Sequence, residues 1–314
     1  GNNHYVLSQH EFKGGNLCAS DVALKAIPCV EYAGFVFINF DKDCMPFDDF
    51  IAPIRPWLED LNIKEMRHYW WKQIPIPANW KVAQEAFFET YHVPETHPQL
   101  EVQAADFIFG EKIDSEFEDY NHHKVDYETY TNGHGRFYAG RPSNYQGNIK
   151  PLVARHDAVD AMADRLQLLV DGMDAQVLQS DVDLLRTLKG KPMPEGSNLG
   201  SEYVRVLYDD AAAKDRPMPK LTPEVLNMWG GELFIFPNLM ILPQAGNAMI
   251  YRVRPDAKDP DACTFEIFST RTLPAAAARE RAVVNVVTDA ADPEQVYQIP
   301  RQDLGNLQRI QKGL

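Results

Sequence analysis

The stretch "NWKVAQEAFFETYHVPETHPQL", Asn79–Leu100, carries two histidines five positions apart, His92 and His97, with Glu85, Glu89 and Glu95 around them. Asn79 is suited to cap a helix, and Lys81 with Glu85 forms an i,i+4 pair. A helix over Asn79–His92, at about 100° per residue, brings Glu85, Glu89 and His92 within roughly 60° of arc. Trp80, Ala83, Phe87 and Tyr91 then occupy much of the other side, and Trp80 and Tyr91 read as packing residues. Taken alone, this is equally an amphipathic helix whose ionisable side faces water. On a continuous helix His97 would be turned about 140° from His92 and could not share a ligand with it. Pro94 lacks a backbone N–H and disturbs the turn, so a distortion there is expected to return His97 towards His92. Two convergent imidazoles begin a site for iron, copper or zinc, and a third ligand is needed.

The end of the chain offers one. "DLGNLQRIQKGL", read as a helix that starts at Asp303, sets Leu307, Ile310 and Leu314 within about 40° of that aspartate. A carboxylate at the head of an apolar stripe is costly to bury unless it is paired or bound to a metal. The alternative is an aspartate that complements the helix dipole and faces water. His92, His97 and Asp303 together would make the two-histidine, one-carboxylate set that leaves positions open for oxygen in mononuclear non-haem iron oxygenases.

Around these segments the 314 residues read as an α+β protein. The first 45 residues read as β-structure. "CMPFDDFIAPIRPWLEDL" reads as a linker entering a short helix, and "HYWWKQIPIPAN" as a strand. Residues 101–150 suggest strands with long connections. "HDAVDAMADRLQLLVDGM" sets Val159, Met162, Leu166 and Leu169 at helical spacing, with Asp157, Asp160 and Asp164 as a solvated face. "ELFIFPNLMILPQ", "AMIYRVRP" and "ACTFEIFSTRTL" predict an antiparallel meander, and "AAAARERAVVNVVTDA" a helix. The net charge of −14 argues against nucleic acid as a partner. No apolar run is long enough to span a bilayer, and no signal peptide opens the chain, so the cytoplasm is the default location. Cys18, Cys29, Cys44 and Cys263 show no metal spacing and are expected to be inert buried thiols. Both ends look cut, as in a fragment.

With those residues in view, the sequence resembles the α subunits of Rieske non-haem iron oxygenases, the aromatic-ring-hydroxylating type. The similarity lies in Asn79-Trp80-Lys81, Glu85, the run from Glu89 through Tyr91 to His92, and His97-Pro98. "QDLGNLQRIQKGL", "ELFIFPNLMIL" and "YRVRP" extend it, and "GNNHYVLSQHEF" through "GFVFINFD" resembles the tail of a Rieske domain. The resemblance implies a helix-grip (START-like) catalytic domain over 46–314 with a central antiparallel sheet, preceded by a Rieske remnant over 1–45. It implies Fe(II) on His92, His97 and Asp303. Glu89 would be an electron-transfer bridge to a neighbouring subunit, and Glu85 a group just behind the iron ligands or a salt-bridge partner of Lys81. The Cys-x-His and Cys-x-x-His pairs that would hold a [2Fe–2S] cluster do not occur in this sequence, so the cluster is expected only in a longer protein. The implied activity is NAD(P)H-dependent hydroxylation, dihydroxylation or demethylation of an apolar or aromatic small molecule with O2. A steroid or quaternary amine would be other substrates in reach of the same chemistry. Implied partners are a reductase or ferredoxin and other copies in a trimer, with or without a β subunit. Two other readings stay open: a zinc hydrolase with Glu89 as base, and a metal-free protein of this fold that binds apolar ligands.

Overall fold

The computed structural model describes residues 8–11, 14, 23–100, 111–112, 125–139, 150–151, 155–229, 231–278 and 280–313. The chain forms two compact units, Gly1–Phe50 and Ile51–Leu314. In the first, β1 (Cys29–Tyr32) and β2 (Phe35–Ile38) make an antiparallel hairpin, and helix α1 (Phe47–Ile51) begins where the unit ends. Phe47 packs on Tyr32 and Phe37, with ring centroids 5.6 and 5.0 Å apart. The expected β-structure is therefore present in 23–45, while most of 1–22 lies outside the described residues. The expectation of buried cysteines needs correction. Cys29 is exposed, because a two-stranded hairpin is too thin to bury both of its faces, and Cys44, in the loop after it, is half-buried; Cys263 is buried, and Cys18 lies outside the described residues.

The second unit is built on an eight-stranded sheet. Helix α2 (Arg55–Asp60) leads into β3 (Met66–Ile76), and helices α3 (Trp80–Glu85) and α4 (Val93–Thr96) follow. Then come β4 (Glu111–Lys112), β5 (Val125–Thr129), β6 (Gly135–Ala139), β7 (Lys150–Pro151) and helices α5 (Arg155–Met173), α6 (Gln179–Arg186), α7 (Leu199–Ala213) and α8 (Pro223–Met228). β8 (Glu232–Ile235), β9 (Leu239–Pro243), β10 (Asn247–Pro255), β11 (Cys263–Thr272) and β12 (Val284–Val286) precede the last helix, α9 (Gln298–Lys312). The sheet order is β12-β3-β11-β10-β9-β8-β6-β5; β4 and β7 pair apart from it. Neighbours in the large sheet are antiparallel except β12, which runs parallel to β3.

The meander is as expected, with "ELFIFPNLMILPQ" split into β8 and β9. The α5 helix is also as expected; Asp160 pairs with Lys189 at 2.6 Å and the exposed Asp164 lies 3.9 Å from Arg186, while the Asp157 side chain lies outside what is described. The helix predicted over "AAAARERAVVNVVTDA" is absent among the described residues. The β-branched Val284 and Val286 extend instead as the edge strand β12, where branching at Cβ favours the pleated chain. Of 101–150, only the pairs β4–β7 and β5–β6 and the turn between the latter two are described.

One face of the sheet buries Ile74, Met240, Met249, Tyr251, Val253, Phe265 and Ile267. Ala83 and Phe87 from the α3 segment and Ile299, Leu304 and Leu307 from α9 close over them. Gly172 permits the close approach of α5 to α9: a Cβ there would meet Ile299 Cδ1 at 2.7 Å. This packing places the histidine segment and the last helix side by side.

Candidate metal centre

Asn79 caps α3 as expected, its Oδ1 accepting from Lys81 N at 2.9 Å. The single helix predicted over Asn79–His92 is a correction: α3 ends at Glu85. Phe87 N donates to Gln84 O and Phe88 N to Glu85 O, a tightened turn that unwinds the helix. The reason is the aromatic pair. Phe87 inserts between Tyr251 and Phe265, with centroids 4.7 and 4.6 Å away, while Phe88 turns towards Phe137 and Phe234, at 5.6 and 5.4 Å. One helical face cannot deliver neighbouring residues to two such places.

The break also changes how the histidines meet. His92 sits just before α4, and its backbone N–H donates to Glu89 Oε2 at 3.1 Å. Pro94 lies in the first turn of α4, where its missing N–H costs nothing. It is therefore not the site of a distortion in a longer helix. His97 closes α4 with a non-helical backbone (φ −123°, ψ 58°), and its ring reaches within 5.4 Å of the His92 ring, centroid to centroid.

Asp303 needs a matching correction. Helix α9 begins at Gln298, so Asp303 is inside the helix and does not head it; it is 7% exposed. It shares a stripe with the buried Leu307, but Ile310 is exposed and Leu314 lies outside the described residues. The water-facing alternative for Asp303 does not hold. Its Oδ1 is 2.7 Å from His97 Nε2 and 3.4 Å from His92 Nε2. The three ligand atoms of His92, His97 and Asp303 lie within 4.8 Å of one another, the one such group among the described residues.

The opposite ring nitrogens are held from behind. His92 Nδ1 meets Glu89 Oε1 at 2.7 Å, and His97 Nδ1 meets Gln302 Oε1 at 3.0 Å. Gln302 is itself held by Gln99, whose Nε2 donates to the same Oε1 at 2.7 Å. Acceptors behind both rings suit Nδ1–H donors there, an arrangement that would free each Nε2 lone pair for a metal set against the Asp303 carboxylate. Such a cluster of donors asks for a cation. Burial disfavours a charged His92 ring, yet hydrogen bonds and charge from Asp303 and Glu89 outweigh it and raise its pKa above the ordinary value. The donor set therefore fits a divalent metal: two imidazole nitrogens, one carboxylate, and partners that fix each ring.

Further contacts set the helix against the histidine segment. Asn306 Nδ2 donates to Thr96 Oγ1 at 2.9 Å, and Asn79 N donates to Gln311 Oε1 at 2.8 Å. Tyr91 is 83% exposed and is not a packing residue, whereas Trp80 packs against the core. The structure does not bring Glu85 to the cluster. It is exposed, and Lys81 lies over the Trp80 ring, 5.7 Å from its centroid, with no ion pair to Glu85. The sequence reading missed Gln302 and Gln99. The only signal was the position of Gln302 beside Asp303, and glutamine has no charge to draw the eye.

Residues 63–314 match the family described as "Ring hydroxylating alpha subunit (catalytic domain)", and the chain belongs to it. Over 87 residues it is 28% identical to the glycine betaine monooxygenase oxygenase subunit of Pseudomonas aeruginosa, which is 28% of this chain and 20% of that protein. Over 73 residues it is 37% identical to the carnitine monooxygenase oxygenase subunit of Acinetobacter pittii, 22% of this chain and 19% of that one. The matched segments thus span about a fifth of each relative. Among solved structures, a naphthalene 1,2-dioxygenase with indole bound superposes with a TM-score of 0.50 at 14% identity, covering 98% of this chain and 57% of the other. That likeness shows a shared fold.

Proposed function

We propose that this chain is the catalytic part of a Rieske-type oxygenase, with His92, His97 and Asp303 as ligands of a mononuclear ferrous ion. The convergence of two imidazole Nε2 atoms on a buried carboxylate carries the reading. A ferrous ion there would supply the activation of O2, using NAD(P)H electrons delivered through a reductase and a [2Fe–2S] centre. Hydroxylation, dihydroxylation or demethylation of a small molecule would follow. Domain boundaries in keeping with this are a Rieske remnant over 1–45 and the catalytic domain over 46–314.

The residues have distinct tasks. Glu89 and Gln302 hold the rings so that both Nε2 atoms face inward. Asp303 brings the negative charge that a divalent ion needs, within a helix packed against the core. Phe87 and Phe88 set aromatic rings against the sheet beside the site. Glu89 is 37% exposed while touching His92, which suits a bridge from the metal to a cluster on a neighbouring copy in a trimer. For the substrate, relatives named for glycine betaine and carnitine support a small quaternary ammonium compound, and a fold shared with a naphthalene dioxygenase keeps an aromatic one in reach. The zinc hydrolase is disfavoured because Glu89, its general base, is engaged with His92.

The test is metal stoichiometry. Protein reconstituted without oxygen with Fe(II), Zn(II) or Cu(II) is to be analysed for bound metal and probed by electron paramagnetic resonance with nitric oxide. One ferrous ion per chain with a high-spin nitric-oxide signal is expected. A tightly held zinc ion with hydrolytic turnover, or no metal at all, would overturn the reading.

A further inference from the structure

The sheet face beneath the histidine segment carries two polar groups that its own residues leave unanswered. Glu232 on β8 is 1% exposed, and its Oε1 has no hydrogen-bond partner. Among the described residues no cation acts on it; burial alone raises its pKa well above the ordinary carboxyl value. Tyr251 on β10 is buried too, and among the described residues its hydroxyl reaches only the Met249 sulfur, at 3.7 Å. Buried polar atoms are nearly always paired, because an unpaired one forfeits its hydration without compensation.

Both groups belong to the face that serves the metal centre. Glu232 stands opposite Phe137, Phe234 opposite Met240, and Met240 opposite Tyr251 across consecutive strands, so these side chains point the same way. Phe87 rests on Tyr251, and Phe88 rests on Phe137 and Phe234. Asp303 and Glu232 both act on the Tyr251 hydroxyl, whose pKa burial already lifts well above the ordinary value. Glu232 and the metal ligand Asp303 are therefore both neighbours of the Tyr251 hydroxyl.

We propose that Glu232 and Tyr251 are the polar contacts of the substrate, and that they receive a hydroxyl group on an otherwise apolar molecule. This deepens the oxygenase reading and rests on it. A hydroxyl both donates and accepts, and so answers a carboxyl oxygen and a phenolic O–H together. A quaternary ammonium group can do neither, and a protonated amine has no acceptor for Tyr251. Phe137, Phe234 and Met240 would enclose the apolar body.

The experiment compares equilibrium binding of 2-naphthol, naphthalene and tetramethylammonium to the chain and to Glu232→Leu and Glu232→Gln. The wild type is expected to favour 2-naphthol over naphthalene at least about ten-fold. Glu232→Leu should bring that preference within about three-fold, while Glu232→Gln, which still donates and accepts, should keep most of it. Equal affinities in the wild type, binding of none of the probes, or an unchanged preference in Glu232→Leu would overturn the proposal. Tetramethylammonium binding that is lost in both variants would replace the hydroxyl by a cation and overturn it as well. Iron content is measured on the same samples. Iron without a hydroxyl preference sinks this proposal alone, and a preference without iron sinks the metal reading alone.

Discussion

Two polar clusters lie on opposite faces of the same sheet and follow opposite plans. On one face Glu128 and Arg136, cross-strand partners in β5 and β6, join through two 2.8 Å hydrogen bonds. The Tyr130 and Tyr138 hydroxyls donate to the same carboxylate, and Arg136 lies over the Trp57 and Tyr138 rings at 4.1 and 4.4 Å. Arg136 holds the Glu128 carboxyl down to about 2, with Tyr130 helping and burial opposing. That cluster is complete: an anion, a cation and donors in balance. On the other face, beyond the side chain of Phe137, His92, His97 and Asp303 bring three ligand atoms within 4.8 Å of one another, and among the described residues no Lys or Arg pairs with Asp303. Balanced pairing marks a structural cluster, and an excess of one kind of group marks a place that awaits a ligand.

The difference can be broken at its strongest point. His97→Ala should lower iron affinity more than about 100-fold, beyond what loss of a supporting group does, and leave the far-ultraviolet circular dichroism unchanged. Full iron occupancy in that variant, or in His92→Ala, would remove the assignment. Gln302→Ala should cost about 10–100-fold in iron affinity, because His97 loses the acceptor that fixes its ring. Gln302→Glu should restore most of it, and competition with a chelator would read both.

The paired cluster should behave differently. Glu128→Gln should cost about 1.5 kcal/mol of stability by urea unfolding, kept small by solvent around Glu128, and leave iron content untouched. The folded-state pKa of Glu128 is depressed from 4.5 to about 2, so its contribution is present above 4.5 and lost as pH falls towards 2. The stability gap between wild type and variant should therefore close over that window. A gap that widens there would refute the pairing. The smallest effect belongs to a site remote from both clusters. Asn198 caps α7 by accepting from Ser201 N at 2.9 Å, and Asn198→Ala should cost about 1 kcal/mol with no change in metal binding.

Much of this was legible before the structure. Strand-like apolar runs separated by Gly, Asn and Pro breaks marked β8–β11, "HYWWKQIPIPAN" marked β3, and the spacing of Val159, Met162, Leu166 and Leu169 marked α5. Less was legible where local preference competes with packing. The residues after Glu85 continue a helical amphipathic pattern, and the helix stops because Phe87 and Phe88 are drawn to different parts of the sheet. Val283 to Val286 follow an alanine-rich lead-in of high helix propensity, yet β3 offers an edge with which Val284–Val286 pair. A lone glutamate at the head of a strand, as Glu232 is, looks in sequence like a surface residue. Only its neighbours show it to be buried.

By itself the sequence determined the chemical kinds present: two imidazoles near one another, a carboxylate in an apolar helix, and strands enough for an antiparallel sheet. Those follow from residue type and periodicity, which are local. Tertiary structure alone decided that Asp303 meets His92 and His97 across some 200 positions, that Gln302 stands behind one ring, and that Glu85 does not join them. Such meetings depend on how α9 packs against the α3–α4 segment, a balance of many small contacts that no single stretch of chain encodes.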